Sequence, residues 1–369
     1  MKLMKTTEAV GQVLCHDITQ IIPGVKKDAV FRKGHIITKE DIPVLLSVGK
    51  DTIYIWENDE TMMHENEAAE VLYRMSACGT NCNEADAEGH CEAAESAVFG
   101  DTASKMHPSP VKEGKIEVIA DCDGLLKVDS EKLKKVNSFG EMMIATRHGN
   151  TTVKKGDKLA GTRIIPLVIK KDKLKEASNI CEDGPILDIK PFVVRKAAII
   201  TTGNEVYHGR IQDAFTPVIE KKIAEFGAQM MFHEVFDDDD KKITDGCLRA
   251  IEAGAEIVFC TGGMSVDPDD KTPLAIKNTG ARIVSYGSPV LPGAMFLLSY
   301  YDAGDRLVPI CGLPGCAMYN KRTIFDIVLP RLMACDMILA DELAGLGEGG
   351  LCLNCDVCTF PNCGFGKGF

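Results

Sequence analysis

The stretch AEIVFCTGGMSVDPDD, Ala255 to Asp270, decides how the second half of the chain is read. Ile257 to Cys260 is apolar without alternation, the pattern of a strand buried on both faces rather than one with a solvated side. Two glycines end it, Ser265 follows, and Asp267, Asp269 and Asp270 close the stretch around Pro268. A solvated turn needs glycine and polarity, but not so much acid directly after a buried strand. Glycine N–H groups at a strand end suit an anionic ligand, a serine hydroxyl can donate to it, and adjacent carboxylates suit a cation or a proton.

On either side the same unit repeats from Val193: strand, loop, helix. RKAAIITTG (195–203), AQMMFHEVF (228–236), ARIVSYG (281–287), AMFLLSYY (294–301) and RLVPICG (306–312) read as strands. Helical spacing covers 216–226, 239–253, 272–278 and a long final helix, 316–333. Strands apolar throughout predict a mostly parallel sheet covered by helices on both faces, a three-layer α/β/α unit over 193–335. Ligands of such sheets lie outside the carboxyl ends of the strands, where every unusual loop of this region falls.

Four of those loops carry ligand chemistry. TTGNEVYHGRIQDA (201–214) brings Glu205 after the Gly203 turn, FDDDD (236–240) brings Asp237, and the opening stretch brings Asp270. GLPGC (312–316) leaves a strand and opens a helix, where N–H groups and the dipole favour an anion. Each has a plainer reading: FDDDD also suits a helix start, its aspartates capping orphan N–H groups, and GLPGC an ordinary strand-to-helix connection. Three carboxylates on one sheet rim nevertheless repel unless a cation or shared proton neutralises them, and Mg²⁺ with a phosphate ligand is a natural occupant. Neither GxxxxGK[ST] nor a helix-opening GxGxxG is present, so a P-loop ATPase or dinucleotide-binding Rossmann enzyme is not indicated.

The rest divides by composition. Residues 1–57 read as a small α+β unit with strands near 11–18 and 52–56 and a helix at 39–48. Residues 58–104 turn to Glu, Ala, Asn and Cys and suit exposed helices around a loop, 78–91. Residues 105–192 alternate short β-prone runs with turns and predict a β-rich domain. Pro185 and Pro191 bracket the linker to the α/β unit, and 336–369 form a cysteine-rich tail.

The 369 residues carry a formal net charge of −12, against a nucleic-acid surface, which needs clustered Lys and Arg. The first residues lack a signal-peptide core, and nothing approaches the roughly 18 apolar residues of a membrane span. A cytoplasmic, soluble protein is expected, its fifteen cysteines free thiols or metal ligands rather than disulfides.

Cys352, Cys355, Cys358 and Cys363 stand as C-x2-C-x2-C-x4-C, a spacing that can wrap one [4Fe–4S] cluster or a Zn²⁺. Consecutive C-x2-C turns suit a cluster better than zinc, which usually separates its pairs more widely. Cys78, Cys82, Cys91 and His90 match no ligand spacing, and Cys15, Cys122, Cys181, Cys247, Cys260 and Cys335 read as small buried hydrophobes. Cys311 and Cys316 flank GLPG, where a redox role is the lesser reading. His64, His148, His208 and His233 show no partner at ligand spacing.

Taken in order, TTGNE, the acidic FDD, TGGMSVDPDD and GLPG resemble the motif series of the molybdopterin-binding fold of molybdenum cofactor biosynthesis, the family of the molybdenum-insertion enzyme (MoeA-like) and the molybdopterin adenylyltransferase (MogA-like). GQVLCHDIT (11–19) looks like the opening of the insertion enzyme. That enzyme's DGYA loop is missing, Asp123-Gly124 being only an echo, and Cys316-Ala317 stand where the family has Asn-Pro. The resemblance implies that Glu205, Asp237 and Asp270 handle Mg²⁺ or molybdate-associated water during hydrolysis of an adenylylated pterin phosphate. Thr202, Gly203, Gly262, Gly263, Ser265, Gly312, Leu313, Pro314 and Gly315 would cradle the pterin or its phosphate. It further implies molybdopterin or its adenylylated form as ligand, molybdenum insertion with AMP release as activity, a homodimer, and a molybdoenzyme or cofactor-biosynthesis protein as partner. A non-catalytic carrier with a redox-sensing tail is the competing reading. DPDDKT (267–272) also resembles the loop of the competence-damage-inducible family of nucleotide-processing proteins.

Overall fold

The computed structural model describes residues 2–22, 26–55, 59–79, 105–265, 267 and 270–368; of 21, 22, 26 and 27 only the backbone is described. The chain forms two compact units, one of residues 1–121, 128–147 and 155–188, the other of 122–127, 148–154 and 189–369. Among the described residues no helix is long and apolar enough to cross a membrane.

In the first unit, Lys2–Lys5 pairs antiparallel with Thr52–Ile55, and Ile18–Ile22 with Lys26–Phe31. Leu14, Ile18, Ile37, Leu45 and Ile53 close a small core beside the helix Asp41–Ser47. A four-stranded antiparallel sheet follows, in the order Met106–Pro108, Lys115–Ala120, Lys158–Ile164, Met142–Thr146. The helix Glu65–Ala77 lies in the stretch read as exposed, yet it buries Ala68, Ala69, Leu72, Tyr73, Met75 and Ser76. Its small alanines let it approach closely, and His64 caps it by accepting from the Asn66 N–H at 3.2 Å.

The second unit is built on a six-stranded sheet: β1 (Lys196–Thr202), β2 (Gln229–Phe236), β3 (Ile257–Thr261), β4 (Arg282–Tyr286), β5 (Leu297–Asp302) and β6 (Leu307–Leu313). Strand order is β2-β1-β3-β6-β5-β4. The first four in this order run parallel, and β5 and β4 continue antiparallel. Helices α1 (Thr216–Ala224) and α4 (Ile324–Met333) cover one face; α2 (Asp240–Glu252) and α3 (Thr272–Asn278) cover the other. Neighbouring residues of a strand feed opposite layers: Ile199 and Phe259 join Ile219, Ile223, Phe325 and Val328, while Ile200 and Cys260 join Ile243, Cys247, Ala275 and Ile276. Burial on both sides is why these strands read as unbroken apolar runs. The three-layer α/β/α arrangement is the one expected.

The final helix does not begin at Cys316. Gly315–Met318 forms a single 3₁₀ turn, and α4 starts at Ile324 behind a capping box: Thr323 Oγ1 accepts from the Phe325 N–H at 3.2 Å, and Asp326 accepts from the Thr323 N–H at 2.8 Å. T-x-x-D carries that start in the sequence.

Within the same unit Gly124–Val153 pairing runs antiparallel between 124–126 and 151–153. Residues after α4 are packed rather than loose. Asp336, 5% exposed, accepts from Lys127 Nζ at 2.8 Å, Lys190 Nζ at 2.6 Å and Arg331 Nε at 2.6 Å. Further on, Leu291 and Cys352 exchange backbone bonds (Leu291 N–H to Gly350 O and Cys352 N–H to Leu291 O, both 2.8 Å), and Phe365 enters the core layer under α4.

Asp239 is the N-cap of α2, accepting from the Lys241 and Lys242 N–H groups at 2.9 and 3.2 Å. Asp239→Ala leaves those donors to water and is expected to lower unfolding free energy by about 1 kcal/mol in urea denaturation.

Candidate functional site

The carboxyl ends of β1, β2, β3 and β6 deliver the four candidate loops to one rim of the sheet. At its centre β1 and β3 are tied by a knot of hydroxyls. Thr202 Oγ1 donates to the Thr261 carbonyl at 3.1 Å and meets Thr272 Oγ1 at 3.0 Å; Thr272 Oγ1 also reaches the Gly262 carbonyl at 2.9 Å. Gly262 sits at φ 83° and Gly263 at φ 53°, the left-handed region where glycine carries no steric penalty. A Cβ on Gly262 would overlap the Thr202 carbonyl oxygen, and one on Gly263 would lie 2.9 Å from Thr272 Oγ1. Both glycines are therefore required by the close approach of β1 and the start of α3.

The knot is locked from the β6 side as well. Met264 is buried, and a Cβ on Gly312 would come 2.5 Å from its Cε and 3.2 Å from Leu297 Cβ. Gly312, Leu313 and Pro314 are themselves buried, and only Gly315 of that turn is exposed, with nothing within 4 Å of a Cβ placed on it. Gly312 thus serves packing of the loop, and Gly315 is the member of GLPG facing open space.

The four aspartates after β2 divide by role. Asp240 accepts from Asn278 Nδ2 at 3.1 Å, Asp239 caps α2, and Asp238 accepts from the Asn204 N–H at 3.1 Å, drawing the 203–205 turn against β2. Asp237 pairs Oδ2 with Lys242 Nζ at 2.7 Å, but its Oδ1 is buried with no partner. Thr261 Oγ1, two strands away at the end of β3, is also buried and unpartnered. Buried polar atoms of this kind are rare and call for a ligand, ion or water. The helix-start reading of FDDDD holds for Asp239, while Asp237 is the carboxylate left over.

Glu205 is exposed in the short helix Asn204–Tyr207, Asp270 is half-buried, and Ser265 is exposed. Asp267 accepts from the Asp270 N–H at 3.0 Å; Pro268 and Asp269 lie outside the described residues. Tyr286 reaches over from β4, donating to the Met264 carbonyl at 3.2 Å; burial, and secondarily the charge of Asp270, push its hydroxyl pKa up. Among the described residues no three His, Cys, Asp or Glu side chains come close enough to hold one ion. Glu205, Asp237 and Asp270 occupy neighbouring loops without closing around a single point.

Sequence reasoning missed a second cluster beside β1. Asp213 Oδ2 accepts from Thr201 Oγ1 at 3.0 Å and Thr216 Oγ1 at 2.5 Å, while Oδ1 takes the Phe215 and Thr216 N–H groups at the start of α1. His233 Nε2 stands 3.1 Å from Thr201 Oγ1 and 3.2 Å from Thr216 Oγ1, so it has partners after all. Burial opposes ionisation of Asp213, yet these hydrogen bonds prevail and hold its carboxyl below the usual range. The loop 201–214 is thereby anchored at both ends.

The cysteines also sort. Cys15, Cys181, Cys247 and Cys260 are buried as expected, but Cys122 is half-buried and Cys335 is exposed at φ 50°, where the chain reverses after α4. Cys311 is buried in the sheet, and burial pushes its thiol far up, against redox chemistry there. Cys78 is disulfide-bonded, contrary to the free thiols expected. Cys82, His90 and Cys91 lie outside the described residues.

Residues 198–334 match the family described as "Probable molybdopterin binding domain", and residues 3–57 match "Domain of unknown function (DUF8806)". Curated relatives include the "Putative competence-damage inducible protein" of Bacillus velezensis, 29% identical over 24% of this chain and 21% of that one. The proteins of the same name from Bacillus cereus and Clostridium kluyveri are 32% identical over 35% of this chain and 30% of theirs, and 26% identical over 37% of each. The chain thus spans about a fifth to just over a third of the curated relatives it matches. Similar solved structures include the tungsten cofactor synthesizing protein MoaB of Pyrococcus furiosus, 18% identical, TM-score 0.30, over 38% of this chain and 88% of that one. The molybdopterin biosynthesis Mog protein of Mycobacterium ulcerans is 18% identical, TM-score 0.30, over 41% of this chain and 99% of that one. Residues 198–334 thus resemble a molybdopterin-binding domain by sequence and lie on a mixed α/β sheet.

Proposed function

We propose that the second unit binds molybdopterin or its adenylylated form at the rim of β1, β2, β3 and β6, and that the chain inserts molybdenum with release of AMP. The observation that carries this reading is the Gly262–Gly263 turn, held open by the Thr202–Thr272 knot beside the unpartnered Asp237 Oδ1. Backbone N–H groups of 262–265 and of the Gly315 turn face the pterin phosphate, while Asp237, Glu205 and Asp270 stand on the side where a cation or proton is handled. Mg²⁺, which commonly takes only one or two protein carboxylates and leaves the rest to water and phosphate, fits Asp237 Oδ1 and would neutralise the phosphoanhydride. Asp237 and Asp270 then orient water for attack on that anhydride, which adds across the P–O–P link and yields the pterin phosphate and AMP. Lys242, bonded to Asp237 Oδ2, holds this carboxylate in place. The four C-terminal cysteines enter the reading as ligands of a metal centre, iron–sulfur or zinc. A dimeric, cytoplasmic protein that passes its cofactor to a molybdoenzyme completes it.

Gly315→Ala separates ligand binding from folding. Its Cβ meets nothing, so thermal unfolding should be unchanged, whereas affinity for molybdopterin should fall roughly tenfold if the ligand lies against that turn. Adenylylated molybdopterin supplied with Mg²⁺ and molybdate should yield AMP, and Asp237→Asn should abolish that release while binding persists. Pterin binding without any AMP from the wild-type chain would leave the carrier reading instead.

A second reading, processing of a nucleotide, is favoured by the name of the curated relatives and by DPDDKT. Nucleoside diphosphate compounds turned over faster than adenylylated molybdopterin would select it.

A further inference from the structure

Residues 346–368 contain no helix or strand, yet their path is fixed. The Gly366 N–H donates to the Gly349 carbonyl at 3.0 Å, Asn362 N–H to Thr359 O at 2.7 Å, and Cys352 and Cys363 rest against the core layer under α4. Of the segment's apolar side chains Phe365 is buried, whereas Leu351, Leu353 and Val357 are exposed. All four thiols are free. Cys352, Cys355, Cys358 and Cys363 together line a single cavity of about 240 Å³, and the same cavity is lined by Lys321 and Arg322.

Resting on the reading that these cysteines ligate a metal, we propose that the cavity is the seat of one [4Fe–4S] cluster and not of zinc. Ligand spacing and the size of the cavity favour the cluster, since consecutive C-x2-C turns suit it and structural zinc usually separates its cysteine pairs more widely. Zinc bound to four thiolates at about 2.3 Å needs room for one ion only, whereas the cavity that these four cysteines line measures about 240 Å³. That space is larger than an ion needs and would take the iron and sulfide of a cluster. The charges suit a centre held by four thiolates, which is a net anion of either metal: among the described residues the formal charges lining the cavity are the cations Lys321 and Arg322. Arg322 is fixed by a 2.9 Å bond to Asp326 and stacks 5.0 Å from the Phe360 ring centroid; Lys321 donates to the Asp356 carbonyl at 3.2 Å. Each thiol loses its proton as its sulfur bonds to iron; ferric iron and sulfide come from solution, and a thiol reductant supplies the two electrons that bring four ferric ions to the two-ferric, two-ferrous state of the cluster. The C-x2-C-x2-C run supplies three ligands from consecutive turns, and Cys363 returns after the Phe360-Pro361 turn to supply the fourth.

The whole chain, purified anaerobically and reconstituted with ferric iron, sulfide and a thiol reductant, tests this. Four irons and four acid-labile sulfides per chain, with the broad visible absorption of an iron–sulfur cluster, are expected. Cys355→Ser and Cys358→Ser, both at exposed positions where folding is not at stake, should each lose most of that content, and Cys335→Ser, outside the cavity, should keep it. One zinc per chain without labile sulfide would overturn the cluster but keep the metal site. No metal of either kind, or cluster content untouched by both serine variants, would overturn the site as well. Molybdopterin binding measured on the same samples reports on the strand-end reading separately.

Discussion

Asp336→Ala is expected to lower the free energy of unfolding by about 3–5 kcal/mol, because it leaves three cations packed together with their shared anion gone. Asp336 is bonded to Lys127, Lys190 and Arg331, and Arg331 is only 8% exposed. Glu342, 2.8 Å from Arg331, and the partial exposure of the two lysines soften the loss, which places the expectation toward the lower figure. Burial alone would raise the Asp336 carboxyl, but the bonds to Lys127, Lys190 and Arg331 outweigh it and hold the pKa at about 2. The unfolded value is about 3.9, so the charged form is favoured by folding. That stability is present above about pH 4 and disappears as pH falls toward 2; by linkage it amounts to roughly 2–3 kcal/mol. Urea unfolding of the wild-type and Asp336→Asn chains at pH 7 and at pH 2.5 checks both statements. The two chains should differ clearly at the higher pH and converge at the lower one.

Gly262→Ala is expected to act on both stability and ligand binding. At φ 83° an alanine is strained, and its Cβ would overlap the Thr202 carbonyl, a backbone group that cannot rotate away. Strain of this kind costs about 1–3 kcal/mol, and relief requires β1 and β3 to separate at their ends. That movement breaks the Thr202–Thr261 and Thr202–Thr272 bonds and turns the amides of 262–265 away from the anion. Affinity for molybdopterin should fall by roughly a hundredfold or more, about 2.7 kcal/mol. Gly209→Ala, also at positive φ but with open space around it, is the comparison; it should show the strain without the loss of affinity.

Much of the second unit was legible because its physics is local. Strands buried on both faces must be apolar throughout, and α3 spans the very residues its spacing predicts, Thr272–Asn278. What was not legible depends on distant partners. Glu65–Ala77 reads as exposed because Ala and Glu dominate it, and only the fold shows that its alanines face a sheet. His233 looks solitary because Thr201, Asp213 and Thr216 reach it across 17 to 32 residues of chain. The start of α4 was misread because apolar spacing continued backwards through Cys316, although Thr323 and Asp326 spelled the cap.

The candidate site divides in the same way. Glycines marked the turn, since φ values of 53° and 83° leave few alternatives. Which of four consecutive aspartates is spare could not be read, because three are committed only through contacts with Asn204, Asn278 and the α2 amides. GLPG reads as a cradle from sequence, whereas the packing of Gly312 against Met264 and the exposure of Gly315 depend on neighbours that the motif does not name. The cysteine run was evident from spacing alone, but its enclosure against the α4 core was not.

Equilibrium titration of molybdopterin into the whole wild-type chain and into Gly262→Ala, in Mg²⁺ buffer, tests the central claim most directly. Saturable binding to the wild-type chain, weakened roughly a hundredfold in the variant, is the result expected of a pterin phosphate held at the Gly262–Gly263 turn. No binding to the wild-type chain, or equal affinity in both, would contradict it.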